Sequence, residues 1–156
     1  MPFRGIVGSI GFLVLLAAPA AGWAFNFDRY KPRDLDELLS EQRPASGTKV
    51  LAAQKLNIEV TLVSYAVSCN AGFLKRTMIM LGVPREVVAD VTITKCIKVK
   101  SPKGQMASMY VQDTVAEYLP GEVPLGSVIN VYGDYLFLGK DGPGILVNEF
   151  QGSNKY

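Results

Sequence analysis

The chain has 156 residues, of which 49% are hydrophobic and 19% charged, and its formal net charge is +2. This composition is typical of one globular domain, and it excludes both a disordered chain and a protein embedded in a membrane throughout. Because the charges nearly balance, they give no support to nucleic-acid binding, which leaves a strong basic footprint. We therefore predict no nucleic-acid partner.

The first 24 residues have the three parts of a secretory signal peptide. A short basic head with Arg4 precedes the uncharged apolar run 5–18, and small residues follow it. We expect cleavage after Ala20 or Ala24, and hence a periplasmic or secreted protein with no transmembrane span after cleavage. An uncleaved membrane anchor is the alternative, but the run is short for a span of roughly 20 residues.

The predicted organisation follows from this cleavage. It comprises a signal peptide at 1–24, a helical arm and linker at 25–50, one β-barrel domain at 51–150 and a flexible tail at 151–156.

The two cysteines of the chain are Cys69 and Cys96. In an exported protein the simplest outcome is a disulfide between them. Such a bridge would close a loop of about 28 residues and stabilise the fold by ~3–4 kcal/mol. A redox-active or metal-binding pair is disfavoured, because the spacing is unlike C-x-x-C and the chain has no histidine.

Hydrophobic periodicity predicts the elements before residue 90. A stripe of leucines with acids in the first turn is typical of a short helix, and strict alternation of apolar and polar residues is typical of a strand. A glycine directly after a helical pattern is typical of a helix end. These signals predict a helix at 34–42, a strand at 56–67, a helix at 73–81 ended by Gly82, and a further helical turn at 84–88.

The central feature of the sequence is a predicted β-hairpin from Val91 to Asp113. Its first strand alternates valine and isoleucine with threonine and lysine, so that one face would meet a core and the other would meet solvent. The turn 101–104, Ser-Pro-Lys-Gly, has the chemistry of a type I turn. The return strand is expected from Met106 to Val111.

The remaining segments alternate between loops and strands. They predict a brief helix at 114–118, a Pro- and Gly-rich loop at 119–126, a long strand at 127–138 with a bulge or bend at Gly133, a turn at 139–144 and a last strand at 145–150.

These elements predict a mainly β protein with minor helical content. Five strands of a small domain remove their exposed edges by closing into a partly open barrel. The strand order, together with the segments 110–113 and 125–133, resembles an OB-fold of the kind found in small exported bacterial proteins. The resemblance covers 56–150, and the long insert 68–90 departs from it, since these barrels usually have a short loop there. A small β-sandwich is the alternative.

Candidate chemistry is sparse. The absence of histidine excludes Ser–His and Cys–His nucleophile pairs and most catalytic zinc sites. The segment 46–49 matches the S-x-x-K pattern of penicillin-recognising enzymes, but their other motifs are missing. The acids nearest the loops are Asp113, Glu117, Glu122 and Asp134, and nothing in their spacing pairs two of them across a cleft. We assign no catalytic residue, no cofactor and no metal ligand.

Lysines along the hairpin form the candidate binding site. Lys98 and Lys100 share the outer face of a strand, and Lys103 lies in the turn, while Lys95 and Cys96 would be covered by the insert if the disulfide forms. The strip could engage an anionic glycan, lipid headgroups or an acidic protein. The alternative interpretation is that these lysines protect a sheet edge from aggregation.

We therefore expect a non-enzymatic exported protein that binds an envelope partner or anionic ligand through the hairpin. A small cell-envelope hydrolase or lyase that uses loop carboxylates is the alternative, and a purely structural accessory subunit is a third hypothesis. The oligomeric state does not follow from the sequence.

Overall fold

The computed structural model describes residues 24–152, so the predicted signal peptide, apart from Ala24, lies outside the described residues. Four helices are α1 (Leu35–Ser40), α2 (Gly72–Met80), α3 (Arg85–Asp90) and α4 (Asp113–Glu122). Six strands are β1 (Lys31–Pro32), β2 (Thr48–Ser68), β3 (Lys95–Lys100), β4 (Met106–Val111), β5 (Val128–Gly139) and β6 (Gly142–Gly152).

Five of the strands form a ring of hydrogen bonds in the order β2-β3-β4-β6-β5, and β5 returns to pair with β2. All of these pairs are antiparallel except β4–β6, and β1 adds a short parallel strand beside β2. The ring confirms the prediction of a mainly β, partly open, OB-like barrel, with α2 and α3 as the insert after the first long strand. It is not a regular barrel, because β4 and β6 meet at only two residue pairs.

The backbones of β5 and β6 come close together at Gly133. The pairing of β5 with β6 shifts register between Tyr132 and Gly133, as the predicted bulge requires. A Cβ atom at Gly133 would lie 2.6 Å from the carbonyl oxygen of Leu146 on the neighbouring strand. Only glycine therefore permits this approach of the two backbones.

The ring encloses a continuous apolar core. Alternate residues of each strand point inward, among them Ile58, Ile97 and Ile129, whose exposed fraction is 0%. Helix α1 adds Leu35 and Leu38, and α4 adds a further buried group, Val115, Ala116 and Leu119. The two helices thus bury their apolar stripes against the strands.

A second apolar cluster lies outside the ring, under the insert. Leu74 and Met78 of α2 and Val88 of α3 pack against Phe137 of β5 and Leu146 of β6. The disulfide between Cys69 and Cys96, with a Cα–Cα distance of 5.7 Å, ties the start of the insert to β3. The predicted disulfide is confirmed, and the insert covers the Cys96 end of the outer face.

Several predicted boundaries were wrong. The first hairpin strand begins at Lys95 rather than Val91, and β2 begins at Thr48, earlier than Leu56. Helix α4 runs through Pro120 to Glu122, into the segment predicted as a loop, because Leu119 and Val123 are buried in the core. The last strand extends to Gly152, so the first two residues of the predicted tail belong to the sheet.

Candidate functional site: a groove on the outer face of the hairpin

A large concavity lies on the outer face of β3 and β4. It has a volume of about 950 Å³ and is lined by Lys98, Ser108 and Tyr110 from the two strands. This volume is in the range of small-ligand sites, roughly 300–1,000 Å³. We call this concavity the outer groove.

The hairpin turn itself forms as predicted. The amide of Gly104 donates to the carbonyl of Ser101 at 2.9 Å, and Gly104 has a φ of 91°. Ile97 and Val99 point into the core while Lys98 and Lys100 are exposed, so alternation sorts the side chains as expected.

The three predicted lysines do not all line the outer groove. Lys98 lines the outer groove, Lys100 is exposed further along the same strand face, and Lys103 lies in the turn outside the lining. The backbone amide of Lys103 donates to the carboxylate of Asp36 at 3.0 Å, which holds the turn against α1. Of the three, only Lys98 contributes to the groove.

Lys98 and Lys100 do not lie on an edge strand. Strand β3 pairs with β2 from Lys95 to Lys100 and with β4 over the same residues. A strand with neighbours on both sides has no edge to protect.

The outer groove gains two cations that the sequence did not point to. Arg43 comes from the linker after α1, and Lys140 from the turn between β5 and β6. The guanidinium of Arg43 donates to the carbonyl oxygen of Lys140 at 3.0 Å, across 97 residues of sequence. No local pattern marks either residue, because a long-range contact brings them together.

The linker is fixed just before Arg43. One carboxylate oxygen of Glu41 accepts from the Tyr135 hydroxyl at 2.9 Å, and the other accepts from Arg33 at 3.1 Å. Burial of the Tyr135 hydroxyl, with its bond to Glu41, raises the pKa of Tyr135 well above its usual range. The hydroxyl therefore remains a donor, and the chain reaches Arg43 from an anchored point.

Aromatic rings form the inner wall of the outer groove. Phe137 packs edge-on against Phe73 of the insert at 4.9 Å between ring centroids, and against Tyr110 at 6.4 Å. Burial raises the pKa of Tyr110, so its hydroxyl stays protonated at neutral pH as a hydrogen-bond donor. The groove thus combines apolar surface with a donor.

The balance of charge in the outer groove is positive. Arg43, Lys98 and Lys140 line it, and Asp141 is the only carboxylate among the lining residues. Within residues 24–152, ion pairs involve only Arg33 and Lys55 as cations. The charges of the three groove cations are therefore not neutralised by a salt bridge in this part of the chain.

A second basic depression is half compensated. It is lined by Arg29, Lys31, Arg33 and Lys55. Arg33 pairs with Glu41, and the ammonium of Lys55 lies 3.0 Å from Asp134. Two of its four cations are therefore held in salt bridges within the fold.

The loop carboxylates singled out for catalysis also make structural contacts. Asp113 accepts from the amide and hydroxyl of Thr94 at 2.9 and 2.7 Å. Burial alone would raise the pKa of Asp113, but these bonds and the nearby Lys95 and Lys75 outweigh it and lower the pKa below its usual value. Asp134 pairs with Lys55 and accepts from Asn148 at 2.9 Å.

In the described part of the chain, no group of three or more Cys, Asp or Glu side chains is arranged to hold a metal ion. No helix between residues 24 and 152 is long and apolar enough to cross a bilayer.

Comparisons with known proteins add no family. The sequence matches no protein-family model, and no curated protein matches it significantly.

Proposed function

We propose that the protein is an exported, non-enzymatic binding or accessory protein that holds an anionic ligand or an acidic envelope partner in the outer groove. One observation carries the proposal: Arg43, Lys98 and Lys140 converge on one groove from three separate segments, without a salt bridge among residues 24–152. Cations placed around a concave surface raise the local concentration of anions and steer their approach.

The aromatic wall supports a ligand that is more than a bare anion. Phe73, Tyr110 and Phe137 present ring surface and one hydroxyl donor to the same groove. Sites that combine apolar surface with a few placed polar groups bind and orient extended or ring-shaped ligands.

The disulfide supports the proposed localisation. Disulfides persist in oxidising compartments and are rare in reducing ones. Together with the signal-peptide pattern in 1–24, the Cys69–Cys96 bridge favours the periplasm or the exterior.

Contacts of the loop acids favour binding over hydrolysis. Asp113 and Asp134 each accept hydrogen bonds that secure neighbouring segments. A glycosidase instead needs two carboxylates facing each other across a cleft at a defined separation.

The proposal is tested by fluorescence anisotropy with three labelled anionic probes: a heparin-derived oligosaccharide, an oligoglutamate peptide and phosphatidylglycerol vesicles. At least one probe should bind, and added salt should weaken its binding because exposed charges are screened. Lys98→Glu combined with Lys140→Glu should weaken this binding by about tenfold or more, since charge pairs at an interface contribute on this scale.

Arg29→Glu combined with Lys31→Glu is the matched control, because it reverses two exposed cations that do not line the outer groove. Equal effects of the control and the groove variant, or no binding of any probe by the wild-type protein, would refute the proposal.

A further inference from the structure

Part of the outer groove is bordered by a strand edge without a neighbouring strand. β4 pairs with β3 along its whole length, from Met106 to Val111. On its other side it pairs with β6 only at Tyr110 and Val111. Among residues 24–152, no strand pairs with this second side of Met106–Met109, which we call the open edge.

The hydrogen bond that joins the end of β4 to β6 shows which backbone groups of β4 face the open edge. The amide of Gln112 donates to the carbonyl of Val147 at 3.3 Å, so the backbone of Gln112 faces β6. Because alternate residues of a strand face the same neighbour, the backbone groups of Tyr110, Ser108 and Met106 face that side too. Ser108 and Met106 line the outer groove, and within residues 24–152 their N–H and C=O groups have no backbone partner on this side.

The approach to the open edge is lined by small residues. Before Tyr110 and Leu146 along the two strands the pairing of β4 with β6 ends, and the part of β6 that does not pair with β4 contains Gly142 and Gly144. Both glycines line the outer groove together with Ser108. Because Ser108, Gly142 and Gly144 have a short side chain or none, they allow another backbone to come close to this part of the edge.

The inference rests on the proposed function, because it names the ligand of the same groove. We propose that the ligand of the outer groove is an extended acidic peptide segment of a partner protein, which adds a strand to the open edge of β4. Peptides of this kind bind through main-chain hydrogen bonds, while alternate side chains give specificity. Neither a glycan nor a lipid headgroup offers the repeating N–H and C=O groups that an open edge pairs with.

The charges around the open edge select for acidic side chains. Lys98 is the cross-strand partner of Ser108, whose short side chain leaves the lysine free to extend across it. An added strand would lie about 4.8 Å beyond β4 and therefore about 9.6 Å from β3, so an extended Lys98 meets an acidic side chain of the peptide above Ser108 rather than its backbone. Arg43 and Lys140 lie in the lining of the same groove.

Side chains on the peptide face that meets the groove also find apolar surface. Met106, at the end of the open edge, is 52% exposed, and the rings of Phe73 and Tyr110 lie at the other end of the groove. The expected sequence is therefore acidic with interspersed apolar residues.

The experiment selects peptides from a phage-displayed library of random dodecapeptides on the intact, oxidised protein, and then scans the selected peptides by single N-methylation. Selected peptides should be rich in Asp and Glu. Methylating every second amide should weaken binding by about tenfold or more, because each such change removes a main-chain hydrogen bond, and the intervening positions should tolerate the methyl group.

Amide hydrogen exchange provides a readout on the protein itself. With a selected peptide bound, the amide of Ser108 should exchange at least about tenfold more slowly, since an amide in a ladder exchanges only when the ladder opens. Ser108→Pro, which removes this donor but none facing β3, should abolish peptide binding. Ser108→Ala, which keeps the donor, should not.

The outcomes separate this inference from the proposed function. If no acidic peptide is selected, or if N-methylation shows no alternation, while the heparin-derived oligosaccharide binds in a Lys98-dependent manner, the peptide inference is overturned and the groove remains a binding site. If no anionic probe binds, both are overturned.

Discussion

The two faces of the β3–β4 hairpin differ in what their side chains do. On the inner face, Ile97, Val99 and Val111 have an exposed fraction of 0% and belong to the core of the ring. On the outer face, Lys98 and Ser108 are exposed and border a groove. Adjacent residues of one strand thus face the core and the groove separately, so each set of side chains can be changed without the other.

The largest expected effect comes from the inner face. Ile97→Ala should lower the free energy of unfolding by about 2–5 kcal/mol, because it removes a fully buried side chain and leaves a cavity. Lys98→Ala, one residue away, should change it by less than about 0.5 kcal/mol. Urea denaturation of the two variants measures both values, and similar losses would contradict the division between the faces.

Opening the disulfide should have the next largest effect. Cys69→Ser with Cys96→Ser should lower the free energy of unfolding by about 3–4 kcal/mol, because the bridge restricts a loop of about 28 residues in the unfolded chain. Reduction of the wild-type protein should have the same effect. Equal stability of the oxidised and reduced proteins in denaturant titrations would show that the bridge does not secure the insert.

A smaller effect on stability is expected at Gly144, where the outer groove meets the second apolar cluster. A Cβ at Gly144 would overlap the ring of Phe137, so Gly144→Ala should cost about 1–3 kcal/mol in unfolding free energy. Gly121→Ala in α4 is the matched control, since nothing lies near its added methyl group. Thermal unfolding should show the control to be neutral or up to about 1 kcal/mol more stable.

The smallest effect concerns pH and the attachment of the hairpin turn to α1. The carboxylate of Asp36 accepts from Ser101 at 2.5 Å, from Lys103 at 3.0 Å and from Gln105 at 2.8 Å. Burial would raise the pKa of Asp36, but these bonds and the charge of Lys103 outweigh it and lower the pKa.

A lowered pKa in the folded state stabilises the protein above the unfolded value of about 3.9, and this contribution is lost as the pH falls through the folded value. Asp36→Asn should therefore weaken the acid dependence of the melting temperature below about pH 4. The acid dependence that remains in Asp36→Asn should come from Asp113, whose pKa is also lowered. An unchanged pH profile in Asp36→Asn would show that the carboxylate does not hold the turn.

The inner face of the ring was predictable because it depends on local periodicity. Alternation assigns Ile97 and Val99 inward and Lys98 outward, and the two strand neighbours only enforce that choice. Gly133 and the turn at 101–104 were predictable for the same reason, since their chemistry specifies a local backbone shape.

The groove was only partly predictable, because contacts distant in sequence build it. Lys98 follows from alternation, whereas Arg43 and Lys140 meet through a hydrogen bond that no local pattern encodes. Asp36 shows the same limit: its position in a helical first turn predicts a favourable charge, but not three bonds to a hairpin far along the chain. The open edge, likewise, results from where β4 and β6 separate.

The most direct test of the groove as a binding site is a two-dimensional amide NMR titration of the intact, oxidised protein with the oligoglutamate probe. Shifts should concentrate at Lys98, Ser108, Arg43 and Lys140, and should leave Ile97 and the Arg29–Lys31 depression nearly unchanged. Shifts centred on Arg29 and Lys31 instead would contradict the account. It would also be contradicted if neither this probe, nor the heparin-derived oligosaccharide, nor the vesicles caused any shift at low ionic strength.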